Sequence, residues 1–237
     1  MSEAGVDRPA WVRSYAGRHG RVSALSEERL SRLLPIRAIP DGPLDPVATF
    51  GRSARLVLEV GCGHGAAAIA YAAAHPDHDL LAVDVHRPGI ARMLVAAEVA
   101  GIANLRVQVG DAVELLAGRI ASSSLTAVHL FFPDPWPKSK HAKRRFVTSH
   151  TLALVHDRLV PGGQLLVATD KDRYAAHTLV ELRAHGGFDI VVGERPAWRP
   201  TDGFEAKGRA AGRSISEIRA TRLARYPAPS PRRGSRI

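Results

Sequence analysis

The sequence has 237 residues, 45% of them apolar and 24% charged, with a formal net charge of +10 and one cysteine, Cys62. That length and apolar content suit one α/β domain with embellishments rather than two full domains. A single cysteine excludes a disulfide framework and a cysteine-rich zinc site and fits a reducing cytoplasm. No apolar run approaches the ~18 residues of a membrane span, and residues 1–7 lack the basic-then-apolar pattern of a signal peptide.

In chain order, residues 1–21 show no apolar periodicity and read as a mobile arm. Ser26-Glu27-Glu28 opens a short helix with Leu30, Leu33 and Leu34 on one face, stopped by Pro35. From Leu56 the pattern alternates: strand 56–60, helix 65–75, strand 80–84, helix 88–100, strand 104–109, short helix 111–118, strand 125–132. A helix over 142–158, a strand at 164–169, a helix over 171–185 and a strand at 188–192 follow. A loop from Gly193 then leads to an edge strand at 214–222. The strands are continuous apolar runs, as expected where both faces are covered. Strand–helix repetition with glycine breaks at Gly101 and Gly162-Gly163 predicts an open, mostly parallel, doubly wound sheet. The organisation is an arm and short helix over 1–50, a catalytic domain over 51–225 and a disordered basic tail over 226–237.

Charge is unevenly placed. Residues 131–237 hold 20 basic and 10 acidic side chains, whereas residues 1–130 hold 13 of each. An excess confined to one half points to a polyanion bound there, with nucleic acid the leading class.

The first strand runs into Gly61-Cys62-Gly63-His64-Gly65. Glycines permit a sharp turn and a close approach of ligand to backbone. The spacing is one residue shorter than the dinucleotide G-x-G-x-x-G, and Glu59 sits two residues before the first glycine. A pyrophosphate would be repelled by that carboxylate, whereas a cationic amino-acid moiety would be attracted. S-adenosylmethionine (SAM), with a sulfonium and an ammonium group, is therefore favoured over NAD. Asp84 ends the second strand 23 residues after Gly61, where doubly wound folds hold ribose hydroxyls. Asp111 follows the third strand, where resemblance to class I SAM-dependent methyltransferases implies recognition of adenine; it is also placed to cap the helix at 112–118, and both can hold at once.

The fourth strand ends in Phe131-Phe132-Pro133-Asp134-Pro135-Trp136-Pro137, followed by Lys138, Lys140, Lys143, Arg144 and Arg145. Prolines fix φ and disfavour helix in the residue before them, so Asp134 is held in stiff, extended backbone. Stiffness of this kind serves a carboxylate that must keep one position against a substrate. Five cations within eight residues suit phosphates. Trp136 reads equally as a stacking platform for a base or as packing.

The glycine loop resembles the E-x-G-x-G-x-G motif of class I SAM-dependent methyltransferases. The Phe-Phe-Pro-Asp-Pro-Trp-x-Lys-x-x-His-x-Lys-Arg-Arg pattern is similar to the signature of the bacterial tRNA (guanine-N7-)-methyltransferases. That resemblance extends over residues 12–222. Val12-Arg13-Ser14-Tyr15 with Gly20-Arg21-Val22 resembles the family's arm. Val83-Asp84-Val85-His86-Arg87-Pro88-Gly89 resembles its Glu-Val-His-x-x-Gly segment, with Asp in place of Glu. Asn104-Leu105-Arg106 leading to Gly110-Asp111-Ala112, and Gly162-Gly163 leading to Ala168-Thr169-Asp170, match as well. Arg199-Pro200-Thr201-Asp202-Gly203-Phe204-Glu205 with Gly208 is similar to its Arg-Pro-x-Thr-Lys-Phe-Glu-x-x-Gly segment. There the family's Thr-Lys falls on Asp202-Gly203, or on Thr201 after a one-residue shift.

The resemblance implies a class I (Rossmann-like) fold with an N-terminal helical arm, SAM as methyl donor and tRNA as partner. It implies transfer to N7 of guanine, that of the variable loop, by a cytoplasmic monomer or homodimer without metal. Glu59, Gly61, Gly63, Gly65, Asp84, Asp111 and Asp134 would line the SAM site, with Asp134 catalytic. Lys138, Lys140, Lys143, Arg144, Arg145, Asp170, Asp202, Gly203, Phe204 and Glu205 would meet the substrate. Guanine N7 carries a lone pair and no hydrogen, so alignment and charge stabilisation matter more than a general base. Asp134 or Asp170 would contact the guanine edge. The alternative is SAM-dependent methylation of an exocyclic amine in nucleic acid or of protein.

Overall fold

The computed structural model describes residues 22–201 and 203–224. Its centre is β1 (Arg55–Val60), whose residues beyond Arg55 are all buried. Leu56, Leu58 and Val60 face one apolar cluster while Val57 faces the other, so an unbroken run of apolar residues is what a strand with two covered faces requires. Around it lie β2 (His78–Asp84), β3 (Leu105–Val109), β4 (Leu125–Phe131), β5 (Leu159–Thr169), β6 (Phe188–Val192) and β7 (Ser216–Arg222), in the order β3-β2-β1-β4-β5-β7-β6. The first five are parallel, and β7 runs antiparallel to both β5 and β6.

One face is covered by α1 (Ala24–Arg37), α3 (Ala66–Ala74) and α4 (Arg87–Val99), through residues such as Leu30, Tyr71 and Met93. The other is covered by α5 (Ala112–Gly118), α6 (Ser149–Arg158) and α7 (Asp172–His185), through Leu116, Leu152 and Leu182. Strand order reverses between β1 and β4, and in open sheets a ligand crevice forms beyond the strand ends at such a point. Among the described residues no helix is long and apolar enough to cross a membrane.

Most expected elements are present within two residues of their predicted bounds, and the departures have physical reasons. Pro35 does not stop α1, which continues to Arg37. The proline falls in the last turn, where its missing N–H removes one bond from a helix already anchored by Leu30 and Leu33. The helix expected over 142–158 is two pieces. A 3₁₀ helix over Ser139–Arg144 precedes α6, which opens with a capping box between Thr148 and Thr151. Gly162-Gly163 does not break the chain between elements but forms a bulge inside β5, where the register with β4 jumps from Leu125↔Leu159 to Ala127↔Gln164. β7 is not an edge strand; β6 is. Two helices lay outside the predicted set: α2 (Pro46–Phe50), capped by Asp45, and α8 (Gly203–Ala210). The arm, the basic tail and Asp202 lie outside the described residues.

Candidate active site

β1 passes directly into the glycine turn. Gly61, Gly63 and Gly65 have φ of 72°, 55° and 80°, the left-handed region that favours glycine. At Gly65 space adds a second reason, since a Cβ there would sit 2.0 Å from Met93 Cγ. The turn is tied to the end of β2: Gly61 N–H donates to Val83 O at 2.8 Å, and Gly63 N–H to Asp84 Oδ2 at 2.7 Å. The other Asp84 oxygen accepts from His86 N–H at 2.8 Å. Both oxygens are thus fixed yet each keeps capacity to accept a further hydrogen bond. Cys62 is buried inside the turn, and burial, with Asp84 and Glu59 nearby, pushes its thiol pKa well up. It is an inert packing residue.

The turn opens onto a cavity of about 580 Å³ walled by Gly61 and Gly63, Val83–His86, Gly110–Ala112, Leu130–Pro137, Phe146 and Phe204. It therefore brings together Gly61, Gly63, Asp84, Asp111, Asp134 and Phe204. Asp111 caps α5, its Oδ1 accepting from Val113 N–H at 2.8 Å, so the capping reading holds while the residue also faces the cavity. Gly65 and Glu59 are not in the wall. Glu59 is 3% exposed and lies behind the turn, its Oε2 3.8 Å from His129 Nδ1.

On the opposite wall Asp134 is exposed between its two prolines. The residues at either end of this short stretch, Phe132 and Trp136, have φ of 50° and 40°. Left-handed backbone in non-glycine residues costs on the order of 1–3 kcal/mol each and persists only where the surroundings impose it. Here Phe132 N–H donates to Ala168 O at 2.8 Å. The Arg145 guanidinium donates to Pro135 O and Trp136 O at 3.2 and 3.3 Å. Arg144 lies 4.1 Å from the Trp136 ring centroid, and His141 meets that ring edge-on. Two of the five cations of the basic run thus brace the loop. Lys138, Lys140 and Lys143 are exposed along and beside the 3₁₀ helix.

Asp170 and Glu205 stand apart from the cavity wall. Asp170 is held by Lys171 at 3.1 Å and Arg213 at 2.7 Å. Partial burial alone would push its carboxyl pKa up, but the bonds from Lys171 and Arg213 outweigh it, leaving the pKa below the ordinary value. Glu205 is 1% exposed and ringed by Arg195, Arg199 and Arg209 at 3.1, 3.0 and 3.0 Å. The expectation that Glu205 faces substrate meets a buried counter-ion instead: its neighbours in α8, Gly203 and Phe204, are exposed while Glu205 turns inward. Arg199, itself buried, also pairs with Glu217 of β7 and lies 4.8 Å from the Phe131 ring centroid. Burial raises the Glu217 pKa against the opposing effect of Arg199. This network fixes α8 to the sheet and to the root of the Asp134 loop. Sequence reasoning missed Arg195, Glu217, Trp198 and His129; only the similarity of Arg199-Pro200 to the start of the family's Arg-Pro-x-Thr-Lys-Phe-Glu segment hinted at a role for that stretch.

The "Putative methyltransferase" family model (Methyltransf_4) matches residues 53–218. Among solved structures, the 16S rRNA (adenine(1408)-N(1))-methyltransferase of Catenulisporales acidiphilia, with its cosubstrate SAM, has a TM-score of 0.53. It is 20% identical, covering 78% of this chain and 95% of its own. A SAM-dependent O-methyltransferase of Thermotoga maritima also has a TM-score of 0.53, at 18% identity, covering 87% and 74%. These likenesses place the fold among SAM-dependent methyltransferases. Curated relatives are closer in sequence. The tRNA (guanine-N(7)-)-methyltransferase of Alcanivorax borkumensis is 42% identical, covering 87% of this chain and 90% of its own. Those of Nitrosomonas eutropha and Halorhodospira halophila are 39% and 40% identical, covering 90% of this chain and 97% and 96% of theirs. The matched span takes in the glycine turn, the Asp134 loop and the Arg199–Glu217 network together, and the chain belongs to the tRNA (guanine-N(7)-)-methyltransferase family.

Proposed function

We propose that the chain methylates N7 of a guanine in tRNA, the variable-loop guanine, using SAM as donor, and that it acts in the cytoplasm as a monomer or homodimer. The observation that carries the reading is one cavity lined together by Asp84, Asp111, Asp134 and Phe204. SAM supplies an electrophilic methyl group on a sulfonium. The residues present fit it. Gly61 and Gly63 offer bare backbone, Asp84 accepts ribose hydroxyls with orientation fixed by two backbone N–H groups, and Asp111 meets the adenine end. Glu59, although behind the turn, adds negative potential beneath it that favours a cation.

Asp134 takes the catalytic role. A purine alkylated at N7 gains positive charge, and a carboxylate held by stiff, braced backbone stabilises that charge without reorganising. Its place in the wall also favours Asp134 over Asp170 as the contact to the guanine edge, since Asp170 already satisfies Lys171 and Arg213. Arg144 lies over one face of a partly buried Trp136, whereas Phe204, with Lys207 5.8 Å from its ring centroid, is 68% exposed at the cavity. Phe204 is therefore the stacking partner for an extruded base. Gly203 precedes it at the start of α8 and would meet the substrate with it. Lys138, Lys140 and Lys143 hold phosphates, while Arg144 and Arg145 keep the loop in place for them.

Incubation with labelled SAM and unmodified tRNA, followed by borohydride–aniline cleavage, tests the reading. Cleavage at one variable-loop guanine is the expected result. Label appearing instead on an exocyclic amine, or in protein, overturns it.

A further inference from the structure

β1 and β4 are neighbours in register, with Glu59 opposite His129. Both side chains lie on the α3 face and are almost fully buried, His129 at 1% exposure. Glu59 Oε2 and His129 Nδ1 have no hydrogen-bond partner elsewhere among the described residues and stand 3.8 Å apart. A buried carboxylate oxygen and a buried ring nitrogen left unpaired are each costly. At that separation a small approach would satisfy both. The imidazole also has three aromatic neighbours. It packs against Phe131 at 5.2 Å and Trp198 at 5.2 Å, two rings that also touch each other at 5.9 Å, and meets Tyr71 edge-on at 4.8 Å.

The two partners belong to different loops of the cavity. Glu59 is two residues before Gly61, where the chain turns beneath the methyl donor's place. Phe131 lines the cavity at the root of the Asp134 loop. Trp198 precedes Arg199, whose guanidinium lies over Phe131 and Phe132 and pairs with Glu205 of α8. One side chain thus touches the root of the donor loop through its nitrogen and the root of the acceptor loop through its ring face.

We propose that His129 is a positioning residue that sets the donor loop against the acceptor loop, its Nδ1–H donating to Glu59 and its ring packed against Phe131 and Trp198. In-line transfer demands that donor and acceptor be aligned closely, and a small displacement of one wall relative to the other lowers turnover steeply. The inference rests on the cavity being the methyl-transfer site; wild-type activity, measured first, tests that reading by itself.

Two variants separate the functions of the side chain. His129→Asn keeps an N–H near the Nδ1 position and removes the ring, whereas His129→Phe keeps a ring and removes the N–H. His129→Phe is expected to raise the Kd for SAM about tenfold, the loss of a charge-assisted bond to a buried carboxylate, with kcat at saturating SAM nearly retained. His129→Asn is expected to hold SAM affinity within about twofold and to lower kcat on tRNA about tenfold. A lowered melting temperature in both variants, with Kd and kcat unchanged at 25 °C, marks the histidine as filler and overturns the proposal; so does an equal loss of both parameters in both variants. If either variant fails to fold, ¹⁵N NMR of the wild-type imidazole decides. Nδ1 protonated at neutral pH is expected, and a neutral ring with the proton on Nε2 overturns the pairing with Glu59.

Discussion

The guanidinium of Arg144 lies 4.1 Å from the centre of the Trp136 ring. A cation on an aromatic face is worth about 0.5–2 kcal/mol depending on desolvation, enough to hold a tryptophan whose own backbone sits at φ 40°. With Arg145 bonded to the carbonyls of Pro135 and Trp136, the last two cations of the basic run brace the loop that carries Asp134. Among the described residues Lys138, Lys140 and Lys143 make no such contact.

The two groups should separate in a salt titration. Replacing Lys138, Lys140 and Lys143 with Ala should weaken tRNA binding and flatten the log–log dependence of affinity on salt by about 2 to 3, with SAM affinity and melting temperature unchanged. Arg144→Ala with Arg145→Ala should lower turnover and leave most of that slope in place. Equal slopes for the lysine variant and the wild type would remove these lysines from the RNA contact.

Asp134→Asn preserves shape and removes the charge. Turnover should drop by at least about 100-fold, the usual scale for losing preorganised charge stabilisation at a reacting centre, while SAM affinity changes little. Asp84→Ala should do the reverse, raising the Kd for SAM. Isothermal titration alongside single-turnover kinetics checks both, and near-normal turnover in Asp134→Asn excludes the catalytic role.

Phe204→Ala should lower kcat/KM for tRNA by roughly 10- to 100-fold, corresponding to a lost stacking interaction of about 1–3 kcal/mol. Phe204→Tyr should recover most of it, and SAM binding should be indifferent to either. Trp136→Phe should act mainly through loop geometry, in proportion to what Arg144 loses.

Asp170 gives a pH signature. Its folded pKa lies below the ordinary carboxylate value because Lys171 and Arg213 outweigh partial burial. A depressed pKa means the unfolded state binds the proton more avidly, so the contribution to stability is present above the unfolded value and is lost as pH falls through the folded one. Asp170→Asn should therefore lower the melting temperature at pH 7, and the gap to wild type should close as the pH falls below about 4. A gap that persists unchanged at pH 3 contradicts the assignment.

Much of the fold was legible because its strands are buried on both faces: runs such as Leu80-Leu81-Ala82-Val83 leave few alternatives. The glycine turn and Asp84 were legible for the same local reason, since a left-handed turn at a strand end needs glycine and an acid at the next strand's end meets the same crevice. What stayed hidden was long-range. Nothing near Glu205 in the chain announces that it points inward, because its burial is decided by Arg195, Arg199 and Arg209 together. β7 reads as an edge strand because charged residues, Glu217 and Arg219, alternate with apolar ones along it, although the strand has neighbours on both sides. Pro35 and Gly162-Gly163 misled because punctuation rules describe average positions. A proline in a last turn and a glycine pair in a bulge cost too little to end an element.

The position of β7 has a consequence for biosynthesis. It is the last strand in chain order, yet it lies between β5 and β6. While a nascent chain still lacks residues 216–222, β5 has an open edge where its antiparallel partner belongs, and Arg199 has Glu205 but not Glu217. The glycine turn and the Asp134 loop draw on strands that have already emerged, whereas α8 with Phe204 cannot be locked to the sheet until the ribosome has released β7. The donor side of the cavity is thus complete before the side that carries Phe204, and a ribosome stalled in between displays a sheet edge open to pairing with other chains.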